Sequence, residues 1–352
     1  MAIQNDILSS TARARSKKAL DNLFETVPLL DHIQKAGGVE IINGGQRITR
    51  AAILAEHSNI TQLATGYEAV SSSVADVLRS PEYEWCDFVA PIVITKKEEL
   101  SNRGENAVIS IADARMKSVI GMLKREWELQ TIRGTSTVLT ELGSLNGVNT
   151  AAGWLEELDI GWLEETAFGT QGNIVGGLSK ATYAASNWNN QSFDVQMGGG
   201  AGTGFANLGL QGMTELMIQT QIYAPEGTVD LILASPASYR LYKSVLQGQE
   251  RYMPKETVLD GGRLALAFNG ALMYVENNLG FASSGAGGAD TPSMYFLNSK
   301  SMKVVFDSEA NFSMSDFEHK SGYAAREAQM FVRTQLVADH LASLGLLVNA
   351  EA

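Results

Sequence analysis

The residues Asn106–Thr131, NAVISIADARMKSVIGMLKREWELQT, decide how the rest of the chain is arranged. Their apolar side chains recur every three or four residues, which is the period of one face of an α-helix. That stripe consists of Ile109, Ala112, Met116, Val119, Ile120, Leu123 and Trp127. At about 1.5 Å per residue the predicted helix is roughly 39 Å long, where helices of about 11 residues are usual. Its length predicts a structural strut rather than a chemical site.

The opposite face of this helix carries charged side chains. They are Asp113, Arg115, Lys117, Lys124, Arg125, Glu126 and Glu128. The simpler interpretation is a solvated face, and the alternative is contact with a neighbouring copy of the same chain.

Composition excludes several classes of protein. The chain has 352 residues, of which 45% are hydrophobic and 19% charged, as in a globular protein of about two domains. A net charge of −12 argues against nucleic-acid binding through a basic surface. Cys86 is the single cysteine and the histidines are scattered, so we predict no disulfide, no metal site and no cofactor. We also expect no secretory leader and no membrane span, because apolar runs of about 18 residues are absent.

The first segment, residues 1–45, is predicted to be an N-terminal arm. It begins with a basic cluster of four side chains, Arg13, Arg15, Lys17 and Lys18. This cluster is interpreted either as a solvated helix face or as a contact with phosphate or an acidic partner.

Residues 46–98 are predicted to form an extended loop built as a long β-hairpin. VEIINGGQRITRAAIL (39–54) places β-branched residues around a turn at 43–45, and EYEWCDFVAPIVIT (82–95) resumes the extended pattern. A two-stranded ribbon is not stable alone in water, so we expect it to lie on a neighbouring copy. The aromatic side chains expected at that contact are Tyr67, Tyr83, Trp85 and Phe88.

The long helix lies in a predicted segment of residues 99–205. Behind it, two copies of GWLEE, at 153–157 and 161–165, indicate an interface loop in which Trp154 and Trp162 contact a neighbour. A calcium site is the alternative for these acidic residues, but the ligand spacing of a calcium loop is missing. The glycine-rich stretch 197–205 lacks the Lys-Ser or Lys-Thr of a phosphate-binding loop, so nucleotide binding is not predicted.

Residues 206–322 are predicted to form a compact αβ unit, and residues 323–352 a long return strand. Pro236 suits a first helical position, and Asn269-Gly270 suits a two-residue hairpin turn. Ser235 lacks the G-x-S-x-G context of a nucleophile, so we interpret it as a helix cap. We find no catalytic constellation and predict no enzymatic activity.

In this order of parts the chain resembles the major capsid protein of tailed bacteriophages, the Hong Kong 97-type fold. FETVPLLDHIQKAGGVE (24–40) resembles the family's N-terminal arm, and residues 65–95 resemble its extended loop. Residues 106–134 resemble the spine helix of its peripheral domain, and DLILASPASYRLYKSVL (230–246) resembles the strand and helix of its axial domain. The resemblance implies an α+β fold with these four parts, covering nearly the whole chain.

The resemblance also implies a function and partners. Subunits of this family assemble as pentamers and hexamers into an icosahedral shell, the virion capsid, in the cytoplasm of the host bacterium. The implied partners are further copies of the chain, a portal protein, scaffold or decoration proteins, and packaged double-stranded DNA contacted without sequence specificity. The basic arm cluster would then face the lumen.

Some members of the family carry a covalent lysine–asparagine cross-link between subunits. Lys96 and Lys97 lie near the base of the hairpin rather than at its tip, so we expect no such cross-link here. Three other readings stay open: an encapsulin-like nanocompartment shell, a tail or baseplate protein, and an enzyme of unknown type.

Overall fold

A computed structural model provides the structure of the protein. It describes residues 28–54, 62, 66, 77–101, 111–133, 174–180, 182–183, 188–195, 205–222, 224, 227–247, 257–258, 264–276 and 292–348. The helices are α1 (Pro28–Lys35), α2 (Lys96–Ser101), α3 (Ile111–Arg133), α4 (Leu210–Ile222) and α5 (Pro236–Gln247). A π-helical turn, Phe205–Gly209, leads into α4.

The strands are short except for two. In chain order they are β1 (Val39–Ile42), β2 (Ile48–Thr49), β3 (Ala52–Ile53), β4 (Leu78–Arg79), β5 (Glu82–Tyr83), β6 (Cys86–Thr95), β7 (Ile174–Val175), β8 (Leu178–Ser179), β9 (Gln191–Asp194), β10 (Leu231–Ala234), β11 (Thr257–Val258), β12 (Leu264–Phe268), β13 (Ala271–Val275), β14 (Pro292–Leu297), β15 (Met302–Asp307), β16 (Ser313–Met314), β17 (Glu318–His319), β18 (Ala325–Ala338) and β19 (Gly345–Val348).

The first sheet is organised around β18. The whole of β6 pairs with it antiparallel, from Thr95 opposite Ala325 to Cys86 opposite Thr334. On its other side β18 pairs with β15, β16 and β17, and β15 in turn pairs with β1. Met330 and Leu336, which are an even number of residues apart in β18, are both buried, as side chains on one face of a strand are.

The second sheet has the strand order β11-β12-β13-β10-β14-β19-β9. Its central strands are buried on both faces, which is why LILA (231–234) and MYFL (294–297) read as continuous apolar runs. Alternate residues of β10 enter different cores: Leu233 joins the core shared with the first sheet, and Ile232 joins the core under α4 and α5. The predicted hairpin turn is present, with Asn269 and Gly270 both at positive φ.

Two helix predictions can be compared with the structure directly. The long helix is observed over Ile111–Arg133, and the predicted start at 106–110 lies outside the described residues. Its assignment as the spine of a peripheral domain stays a prediction, as do the domain boundaries. Helix α5 begins at Pro236, and the hydroxyl of Ser235 accepts a hydrogen bond from the Ser238 amide at 3.2 Å, which is the predicted cap.

The predicted hairpin around residues 43–45 is wrong. Strand β1 pairs parallel with β15, with Val39 opposite Val304, and not with the residues that follow it. The chain does turn there, since Gly44 and Gly45 have positive φ, but it turns out of one sheet towards the ribbon. Local sequence shows the turn, whereas the partner strand lies more than 250 residues away and leaves no local signal.

Candidate interaction surface

The ribbon predicted between residues 46 and 98 exists in part. Its two arms pair through β2 with β5 and through β3 with β4, so that Ile48 lies opposite Tyr83 and Ile53 opposite Leu78. Residues 55–61, 63–65 and 67–76 lie outside the described residues. We call residues 46–54 and 77–85 the ribbon root.

The expectation that the ribbon has no support within its own subunit is wrong for the ribbon root. Ile48, Ala52 and Leu54, which alternate along one arm, are buried with exposed fractions of 8% or less. They belong to the same core cluster as Val175 and Trp188, residues far along the chain. The other strand of the predicted loop, β6, is bonded to β18 over its whole length. Period-two alternation was visible in the sequence, but it does not reveal which surface it covers.

Tyr83 illustrates this correction. Its side chain is 2% exposed, and its hydroxyl donates a hydrogen bond of 2.9 Å to the carbonyl oxygen of Ala338. Burial raises the pKa of this hydroxyl despite that hydrogen bond. The predicted contact of Tyr83 with a neighbouring subunit therefore does not fit its position, because its own subunit already covers it.

Trp85 and Phe88 lie where a neighbour could still reach them. Both are partly buried and pack against the subunit's own core. The indole nitrogen of Trp85 donates to the carbonyl oxygen of Gly45 at 3.0 Å, which ties the two arms together at their base. Their contact with another subunit stays a prediction.

Ion pairs frame the ribbon root. The Arg47 guanidinium lies 3.0 Å from a Glu82 oxygen and 2.6 Å from a Glu84 oxygen, on the opposite arm. Arg50 lies 2.5 Å from Glu40, on β1, and its side chain is only 19% exposed. The exposed pairs made by Arg47 contribute about 0–1 kcal/mol each, so they fix geometry more than they stabilise the fold.

One pair of apolar side chains on the ribbon root faces solvent. Ile53 is 73% exposed and Leu78, directly opposite it, is 57% exposed. These two aliphatic side chains form a small exposed apolar patch on the ribbon. We call Ile53 and Leu78 the outward pair; sequence reasoning missed it because it weighted aromatic residues.

A second exposed apolar surface lies on α4. Ile218 and Ile222 are 48% and 69% exposed and one helical turn apart, and Glu215 is the single charged residue in this helix of 13 residues. The two isoleucines form a small apolar patch on a helix whose other exposed residues, Gln211, Thr214, Glu215 and Gln221, are polar.

The charged face of α3 is not uniformly solvated. Glu128 is 5% exposed and accepts a hydrogen bond from the Leu29 amide at 3.1 Å, which anchors α1. Arg115 donates to the carbonyl oxygen of Val93 and lies 2.6 Å from Glu98. Hydrogen bonds from Thr95, and then from Arg115, hold the pKa of Glu98 below its usual value. Both exceptions face the subunit's own elements, whereas Lys117 and Arg125 are exposed as predicted.

A serine, an aspartate and a histidine meet beside α1. Asp230 accepts hydrogen bonds from His32 Nε2 at 3.0 Å, from the Ser299 amide at 2.9 Å, and from the Ser299 hydroxyl. Burial opposes ionisation of Asp230, but these hydrogen bonds together lower its pKa. A catalytic triad needs the serine bonded to the histidine, whereas here both bond the carboxylate. This cluster therefore ties α1 to the second sheet.

Several predicted contact residues lie outside the described residues. They are Tyr67, Trp154 and Trp162 among the aromatic contacts, and Arg13, Arg15, Lys17 and Lys18 of the basic arm cluster. Among the described residues, no three His, Cys, Asp or Glu side chains are grouped as a metal site would require. In this described part of the chain, no helix is both long enough and apolar enough to cross a bilayer.

Comparison with known proteins shows the fold. No protein-family model and no curated protein sequence matches the chain. Solved structures do match it over nearly their full length. A subunit of the cyanophage A-1(L) capsid is 14% identical with a TM-score of 0.63, covering 96% of each chain. The capsid of a native GTA particle is 12% identical with a TM-score of 0.53, covering 94% of this chain and 93% of its own.

An encapsulin shares the same architecture. The SrpI encapsulin of Synechococcus elongatus is 11% identical with a TM-score of 0.50, covering 96% of this chain and 94% of its own. The chain therefore has the mixed α+β fold of phage capsid subunits, as its sequence predicted.

Proposed function

We propose that this chain is the major capsid protein of a tailed bacteriophage, assembling as pentamers and hexamers into an icosahedral shell around double-stranded DNA. The observation that carries the proposal is the match to the cyanophage capsid subunit, with a TM-score of 0.63 over 96% of both chains.

Exposed apolar surfaces support assembly through copies of the same chain. The outward pair and the Ile218–Ile222 face lie on separate elements, the ribbon root and α4. Shell subunits need at least two distinct patches, because a ring closes through heterologous contacts in which different surfaces of one chain meet. A structural protein with these patches needs no catalytic site, and we propose that the chain has none.

Charge is compatible with a DNA container. A net charge of −12 disfavours tight binding to packaged DNA, and a shell need only confine its contents. In this proposal the basic arm cluster faces the lumen and makes non-specific phosphate contacts. A portal protein, scaffold or decoration proteins are proposed as further partners, and the host cytoplasm as the place of assembly.

The contents of the particle distinguish a capsid from a nanocompartment. Particles isolated from the producing cells should contain nuclease-protected double-stranded DNA of uniform length. Particles that instead contain an enzyme and no DNA would favour the compartment, which shares the fold at a TM-score of 0.50. A denaturing gel of mature particles should show the chain only as a monomer band.

A further inference from the structure

The hairpin formed by β7 and β8 contacts the ribbon root at residues 81–83. Its two-residue turn consists of Gly176 and Gly177, both at positive φ, as a type I′ turn requires. The carbonyl oxygen of Gly176 accepts a hydrogen bond of 3.0 Å from the amide of Glu82, on the ribbon.

Gly176 packs so closely against the ribbon root that there is no room for a side chain. A Cβ placed on Gly176 would lie 2.5 Å from Cβ of Pro81 and 3.2 Å from Cζ of Tyr83. A Cβ placed on Gly177 would have no heavy atom within 4 Å. Positive φ favours glycine at both positions, and at Gly176 the close contact with Pro81 excludes a side chain for a second reason.

Other contacts hold the ribbon root at the same place. Val175, just before the turn, is fully buried in the core that contains Tyr83. Tyr183, just after the hairpin, accepts a hydrogen bond from Arg79 Nε at 3.4 Å. The Tyr83 hydroxyl donates a hydrogen bond to the carbonyl oxygen of Ala338, the last residue of β18.

We propose that the β7–β8 hairpin is a brace that fixes the direction in which the ribbon leaves the subunit, with Gly176 as its positioning residue. The brace acts inside one subunit, so the ribbon is aimed before any neighbour binds. Pre-organisation of this kind lowers the ordering cost that a mobile ribbon would add to each contact between subunits. Its consequence for shells rests on the function proposed above, whereas the direction of the ribbon can be measured without it.

A distance measurement tests the brace. Spin labels are placed at Ile53→Cys on the ribbon and Lys117→Cys on α3, both exposed positions, in a Cys86→Ser background. Labelled chains are diluted with unlabelled chains, so that only distances within one subunit are observed by double electron–electron resonance. The unmodified brace should give one narrow distance distribution.

Gly176→Ala and Gly177→Ala form a matched pair, because both substitute alanine at positive φ in the same turn. Carbon atoms pack at about 3.5–4.0 Å, so Gly176→Ala must displace Pro81 by about 1 Å, and we expect a mean distance changed by at least about 2 Å at Ile53. Gly177→Ala should leave the distance unchanged. Equal distances in the two variants would overturn the brace.

A second pair keeps the test valid if Gly176→Ala does not fold. Pro81→Gly removes the buried ring that rests on Gly176, whereas Ser80→Gly adds a glycine at the exposed neighbouring position. Pro81→Gly should broaden the distance distribution and Ser80→Gly should not; equal widths would refute the proposal. Should the wild-type chain form no shells while these distances behave as stated, the proposed function fails and the brace stands.

Discussion

Aspartate at both members of the outward pair should weaken assembly about a hundredfold without destabilising the subunit. Ile53 and Leu78 are 73% and 57% exposed, so burying the remainder against a neighbour contributes about 1–2 kcal/mol for each side chain. Together they stabilise each ribbon contact by about 2–4 kcal/mol, and about 1.4 kcal/mol corresponds to a tenfold change in affinity. Removing this contribution weakens each contact about a hundredfold, before the cost of burying two carboxylates is added.

Assembly of the purified variant Ile53→Asp/Leu78→Asp is followed by light scattering and analytical ultracentrifugation over a range of concentrations. The threshold concentration for large particles should rise at least about a hundredfold. The melting temperature of the isolated subunit should barely change, because exposed substitutions alter stability by about 0.5 kcal/mol or less.

The matched control is Ile53→Val/Leu78→Ile, which keeps the surface apolar and should assemble at nearly the wild-type threshold. Assembly of the aspartate variant at the wild-type threshold concentration would show that the outward pair stays in solvent and is not covered by a neighbouring subunit. Unfolding of the aspartate variant would instead show that these side chains support the subunit itself.

Three further predictions concern stability and contents. Gly212→Ala places a methyl group 2.5 Å from a ring carbon of Phe193 and should lower the free energy of unfolding by about 1–3 kcal/mol. Gln211→Ala, at an exposed position of the same helix, should leave it unchanged. Denaturant titration measures both. Because the pKa of Asp230 is lowered from 3.8 on folding, its stabilising effect is complete above that pH and is lost as the pH falls through the lower folded value. Asp230→Asn should therefore make the free energy of unfolding less dependent on pH at acid pH, whereas the exposed control Asp316→Asn should behave like the wild type. An equal loss of stability on acidification in Asp230→Asn and wild type would contradict this. Deleting the basic arm cluster should reduce the DNA retained in particles, and unchanged retention would place the arm elsewhere.

Sequence predicted the elements whose signals are local. The period of α3, the cap at Ser235 and the turn at Asn269-Gly270 all depend on residues within a few positions of each other. The return strand was also predicted, and its polar residue Gln335 is buried because its amide donates a hydrogen bond to the carbonyl oxygen of Glu84. Local chemistry was sufficient for each of these.

Contacts between distant segments could not be predicted in the same way. Ile48 and Tyr83 are covered by a core that includes Trp188, and β1 finds its partner in β15. Nothing in the ribbon's own sequence indicates that a glycine at position 176 would rest on Pro81. Large aromatic residues are the sequence signal for subunit contacts, whereas the exposed large apolar side chains of the ribbon root are the aliphatic Ile53 and Leu78.

Electron microscopy of the purified chain at assembling concentrations would show directly whether it forms a capsid. We expect closed icosahedral shells built of pentamers and hexamers of this chain. Open rings or tubes in place of closed shells would show that the chain is not a capsid subunit.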